Sequence, residues 1–191
     1  MSMLKVAAVL LAASLAGSAG AFAAEPENTM IIELKDGEVT VALRPDLAPK
    51  HVEQIKTLVR NGEYDNVAFH RVIEGFMAQT GDVQYGDMTD NYNAQRAGTG
   101  GSSLGNVPAE FSKETFARGT VGMARSQNPD SANSQFFIMF APGPFLDGQY
   151  TVVGNVESGM EFVDNIKRGS QAQNGSVVDP DRMISVRIAA D

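Results

Sequence analysis

The chain has 191 residues, 43% hydrophobic and 20% charged, a composition that suits one globular domain with its own core. Fifteen Lys and Arg against 23 Asp and Glu leave a formal charge of −8, which excludes charge-driven binding to nucleic acid or anionic lipid. There is no cysteine, so no disulfide, and two histidines, His51 and His70, leave little for a transition-metal site; no metal or other cofactor is expected.

Met1 to Lys5 form a short basic start, Val6 to Ala16 an almost unbroken apolar run, and the mostly small residues Gly17 to Ala23 end in Ala21-Phe22-Ala23. That order reads as a secretory signal with an A-x-A cleavage site. The run is too short to span a bilayer comfortably, and without a polar face it does not suit a buried N-terminal helix. The expected division is a signal peptide over 1–23 and one domain over 24–191, acting in the periplasm or secreted, with no membrane association after cleavage. Loss of Lys5 takes the charge from −8 to −9.

The mature sequence opens with two β-type runs, Thr29 to Leu34 and Glu38 to Leu43, joined by the hairpin signal Asp36-Gly37. Ala48 to Asn61 reads as a helix, with Val52, Ile55, Leu58 and Val59 on one face and Gly62 at its left-handed end. His51 is expected on its surface. Strands are expected over Val67 to Ile73 and Phe76 to Gln79, followed by a long irregular excursion from Thr80 to Glu110. Three further runs, Thr120 to Ala124, Ser134 to Phe140 and Tyr150 to Val153, precede a second helix, Met160 to Lys167, and a last strand, Met183 to Ala189. In the run from Ser134, alternation sets Gln135, Phe137 and Met139 against Phe136, Ile138 and Phe140, both sets largely apolar. One side fills a core; the other must be covered or line a pocket. The pattern predicts a mainly β domain, seven or eight strands in a predominantly antiparallel sheet closed into a barrel and capped by two α-helices.

The stretch Phe69 to Gln79 carries the chemistry. It places Arg71 and Gln79 among large apolar residues with neither a thiol nor a helpful acid nearby. A guanidinium in such surroundings must be paired or meet a polar group on a ligand. Taken alone, the stretch reads first as a salt-bridged core strand, with a ligand site as the alternative. His70 alternates away from Arg71 and reads as structural. Asp87 and Asp90 lack the rest of a calcium loop, and Asn174-Gly175-Ser176 reads as a turn rather than a glycosylation site.

Phe69-His70-Arg71-Val72-Ile73, Gly75-Phe76-Met77-Ala78-Gln79, Gly98-Thr99-Gly100-Gly101 and Ser134-Gln135-Phe136-Phe137-Ile138, continued by Phe145-Leu146-Asp147-Gly148 and Val153-Gly154-Asn155-Val156, resemble the cyclophilins in order and spacing from roughly Met30 to Ile188. The resemblance implies a peptidyl-prolyl cis-trans isomerase (EC 5.2.1.8) of the exported bacterial type that acts on proline-containing peptides and unfolded exported proteins as a monomer. The other class it leaves open is a barrel that binds proline-containing segments as a chaperone without turnover. By matching position, Arg71 is the catalytic arginine and Gln79 its polar neighbour. Phe76, Met77, Phe137 and Leu146 form the proline pocket, and Phe145 and Tyr150 its rim. Ala124, Arg125, Ser126 and Gln135 hold the substrate backbone. Four departures stand out: Glu74 replaces a widespread proline, Phe145 a common rim tryptophan, Tyr150 a common rim histidine, and Arg125 a common asparagine.

Overall fold

A computed structural model describes residues 25–90 and 92–191; the expected signal segment lies outside them. β1 (Thr29–Leu34) and β2 (Gly37–Leu43) form the predicted hairpin, with Leu34 opposite Gly37 and Thr29 opposite Ala42. Val39, Val41 and Leu43 alternate into the core, as a period of two requires. α1 (Pro49–Arg60) buries Val52, Ile55, Leu58 and Val59. β3 (Arg71–Ile73) and β4 (Met77–Thr80) form a short antiparallel pair; β5 (Thr120–Met123), β6 (Phe136–Met139), β7 (Val152–Ser158), α2 (Met160–Asp164) and β8 (Ser185–Ile188) follow.

The eight strands make one sheet in the order β3-β4-β6-β5-β7-β2-β1-β8, with every ladder antiparallel. The expected closed barrel is not formed: the sheet curls into an open half-barrel, and β3 and β8 remain its edges. The segments between those edges meet only at single bridges, Ala68 with Arg182 and Arg71 with Ser176. A ladder cannot run through them because Asn174 (φ 52°), Gly175 (φ 81°) and Asp179 (φ 52°) take left-handed conformations that break extended pairing. Pro180 removes a further donor.

One cluster fills the concave interior. From the central strands it takes Val72, Ala78, Val121, Phe136, Ile138 and Phe140. The opposite face of the same strands carries a second cluster built on Met77, Phe116, Phe137, Met139, Leu146 and Val152. The two-sided apolar pattern of β6 is therefore divided between core and outer face.

The structure corrects His51. It is fully buried, not on the surface, and its Nδ1 lies 2.7 Å from Glu110 Oε2. The same carboxylate accepts the backbone N–H groups of Lys50 (3.2 Å) and His51 (3.1 Å). Ala48 at the N-cap makes no side-chain cap bond, so Glu110, at the end of the long excursion, satisfies the helix's orphan donors. α2 is shorter than expected, yet Val163 and Ile166 keep their places in the core.

Candidate active site

Four strands set one rung of the outer face. Arg71 pairs across the sheet with Gln79, Gln79 with Phe137, and Phe137 with Gly122. Side chains on one rung share a face, so the arginine, the amide and the phenylalanine all point outward. Gly122 is required there: a Cβ at that position would come within 2.6 Å of both Phe116 and Phe137. Its absence lets the two rings stack at 5.7 Å between centroids. One rung over, Met77 stands opposite Met139.

Of these residues, Arg71, Gln79, Phe137 and Met77 line a cavity of about 390 Å³. Phe76, Met77, Phe137 and Leu146 supply apolar wall, Arg71 and Gln79 stand along one side, and Ala124, Arg125, Phe145 and Tyr150 complete the lining. The Tyr150 ring meets Phe137 edge-on at 5.9 Å, and Phe145, 63% exposed, tilts against Phe76 at 5.5 Å. An adjoining cavity of about 250 Å³ shares Gln79, Ala124 and Arg125 and adds Ser126, Gln135 and the Gly98–Gly100 loop. Every site residue expected from the sequence thus lines one of two adjoining cavities. Gln149, which also lines the first, gave no signal in the sequence.

Arg71 is half-buried, and burial draws its basicity below the usual guanidinium range, though not enough to discharge an arginine. Among the described residues no carboxylate pairs with it. The salt-bridged core strand is not what forms. Neutral acceptors fix the side chain instead. Nε donates to the Asn174 carbonyl at 3.0 Å, Nη2 to Asn174 Oδ1 at 3.0 Å, and Nη1 to Gln79 Oε1 at 3.2 Å.

The polarity of this chain is determined from its far end. The Gly100 carbonyl can only accept, so the Gln135 amide turns Nε2 to it at 2.8 Å. Gln135 Oε1 then accepts Gln79 Nε2 at 3.0 Å, which leaves Gln79 Oε1 facing the arginine. Asn174 was read from the sequence only as a turn; it is a turn residue that also clamps the guanidinium. His70 does not turn wholly away from Arg71 as alternation predicts: it lines a third cavity together with Arg71 and Gln79, and burial lowers its pKa to about 4 against an opposing pull from Asp82. It is neutral near pH 7. Glu74, exposed, pairs with Arg168 and does not line the cavity. Among the described residues no group of three or more His, Asp or Glu could hold a metal ion, and no helix is long and apolar enough to cross a membrane.

The family described as cyclophilin type peptidyl-prolyl cis-trans isomerase/CLD matches residues 29–188. A Brucella suis protein named "Probable peptidyl-prolyl cis-trans isomerase" is 65% identical over 97% of this chain and 94% of its own length. Among solved structures, a cyclophilin from Hirschia baltica superposes with a TM-score of 0.73 at 27% identity, over 88% of this chain and 76% of that one. A Cryptosporidium parvum cyclophilin-type isomerase, crystallised in the presence of the dipeptide Ala-Pro, gives a TM-score of 0.70 at 25% identity, over 84% and 98%. The chain belongs to the cyclophilin family. Its activity is peptidyl-prolyl cis-trans isomerisation, EC 5.2.1.8.

Proposed function

We propose that the 390 Å³ cavity receives the substrate proline and that Arg71 is the catalytic residue, with Gln79 holding it in place. Rotation about an Xaa-Pro bond faces a barrier of roughly 18–20 kcal/mol because the twisted imide loses its resonance. No bond is made or broken, so the reaction asks for neither nucleophile nor metal. As the imide twists, the proline nitrogen turns pyramidal and regains its lone pair. A fixed N–H donor then binds the twisted form more strongly than the planar one, and that difference accelerates the rotation.

The observation that carries this reading is the state of Arg71: charged, unpaired by any carboxylate among the described residues, and held from two sides in a cavity with one apolar wall. A salt-bridged arginine would have its charge spent; this one keeps it for the ligand. The apolar wall of Phe76, Met77, Phe137 and Leu146 seats the ring while the preceding carbonyl swings. Excluding water there strengthens the donor. Ala124, Arg125, Ser126 and Gln135 hold the flanking backbone, and Phe145 and Tyr150 form the rim.

The substrates are proline-containing peptides and unfolded proteins met after export, with the chain working as a monomer in the periplasm or outside the cell. The sequence of residues 1–23 supports this location. Two measurements test the whole. Prolyl exchange in short peptides, followed with and without the protein, must be faster with it. N-terminal sequencing of protein from its native host must begin near Ala24 or Glu25; an intact Met1 or Ser2 on most molecules defeats the export reading.

A further inference from the structure

Arg125 has no carboxylate partner among the described residues either, and it stands where the two cavities join. Its guanidinium lies 4.4 Å from the centre of the Tyr150 ring. Nη1 donates to the Ser126 carbonyl and Nη2 to the Gln149 carbonyl, each at 2.9 Å. Stacking on an aromatic face and three carbonyl bonds, the third from Nη1 to Gln127 at 3.4 Å, fix the plane of the group without neutralising it. Nη2 carries a second N–H that these bonds leave free.

The surrounding charge is one-sided. The linings of the two cavities contain two cations, Arg71 and Arg125, and no Asp or Glu. The carboxylate bonded to the Gly98–Gly100 loop of the second cavity, Asp82, is fully buried and accepts four backbone N–H groups, from Gln84, Tyr85, Gly98 and Gly100. In a chain of formal charge −8, this groove is a local positive site, and at contact distance the local charges outweigh screened distant ones.

We propose that Arg125 is a specificity-determining residue: it selects substrates that carry an acidic side chain in the segment leaving the proline cavity through the adjoining one. This rests on the proline occupying the 390 Å³ cavity. A lysine in that segment meets uncompensated like charge, and a neutral side chain gains only an ordinary hydrogen bond.

The test is a set of short proline peptides bearing Glu, Gln or Lys at each of the three positions on either side of the proline. Affinity by titration and catalysed exchange are both measured for wild type, Arg125→Gln and Arg125→Lys. In wild type, Glu exceeds Gln at one or two positions by about two- to fivefold in low salt, the range for a half-exposed ion pair. Lys falls below Gln at the same positions. The Glu-to-Gln ratio returns to near one in Arg125→Gln and in about 1 M salt, while Arg125→Lys keeps part of it. A ratio near one at every position in wild type overturns the proposal. So does a ratio that survives in Arg125→Gln, which assigns the selection to Arg71. Should no peptide show catalysed exchange, the catalytic reading fails, and the affinity ratios still decide the role of Arg125.

Discussion

Arg71 and Asn174, 103 positions apart in sequence, meet through two hydrogen bonds of 3.0 Å, one to the asparagine carbonyl and one to its side-chain oxygen. β3 is an edge strand, so the guanidinium would otherwise swing free on the side away from Gln79. The turn that carries Asn174 supplies the missing wall.

This pairing predicts that Asn174 positions the arginine without touching the proline. Asn174 has φ 52°, where glycine is at ease, so Asn174→Gly deletes Oδ1 and keeps the turn. A misplaced donor is costly, up to about a hundredfold for a shift near 1 Å. The expected result is a fall in kcat of about three- to thirtyfold with peptide affinity nearly unchanged. Equal losses in affinity and turnover would mean that the asparagine binds substrate directly.

A second prediction concerns acid. His70 is held neutral by burial with its pKa lowered from 6.5 to about 4. Between those values the unfolded chain binds the extra proton and the folded chain does not, so stability falls as pH drops through that window. The contribution at neutral pH is of order 3 kcal/mol, fully present above 6.5 and lost as pH approaches 4. Thermal melting from pH 7 to 4 checks it against His70→Gln, which should flatten that part of the slope. Turnover per folded molecule should stay level from pH 7 to about 5, since Arg71 keeps its charge and folded His70 stays neutral until the pH nears 4.

The cap on α1 gives a third. Burial pushes the Glu110 carboxyl up, but its bonds to His51 and to the N–H groups of His51 and Lys50 outweigh that and leave it below the ordinary value of 4.5. Glu110→Gln should cost about 1–2 kcal/mol, as losing a good cap does. The wild-type advantage should shrink as pH falls from 4.5 through the lowered value. Chemical denaturation at pH 7 and at acid pH measures both.

Phe145 bears on inhibition. It offers an exposed ring and no hydrogen-bond donor, whereas tryptophan at that rim position adds an indole N–H. Losing one such bond is worth about 1–2 kcal/mol, or roughly five- to thirtyfold in affinity. Phe145→Trp should therefore bind cyclosporin more tightly than wild type by about that factor. Tight binding by wild type with no gain in the variant contradicts the argument.

Local patterns in the sequence reached most of the outer face. Alternation along Ser134 to Phe140 separated Phe137 from Phe136 and Ile138, and the structure puts them in different clusters. The ordered motifs carried Arg71, Gln79 and the cavity wall. Features set by distant contacts stayed hidden. β7 continues past the expected Val153 to Ser158 because Gly154 admits the close approach of the Ala42 carbonyl, within 2.6 Å of where a Cβ would sit. No local signal marks His51 as buried, since the group that covers it, Glu110, comes from 59 residues away. The open edge of the sheet likewise depends on left-handed residues near Asn174 and Asp179 that no strand pattern reveals.

The measurement closest to the central claim is prolyl exchange by Arg71→Ala, made beside thermal melting and peptide titration. The variant removes the one donor proposed to act on the twisted imide and leaves the apolar wall standing. Loss of a single well-placed electrostatic donor costs about 10²–10³ in rate, so turnover should collapse while proline-peptide affinity weakens far less and the fold persists. Arg71→Lys should recover only part of the rate, because a compact ammonium cannot reproduce the planar fork. A folded Arg71→Ala protein that keeps more than about half the wild-type rate would contradict the catalytic role of Arg71, since the expected effect is far larger.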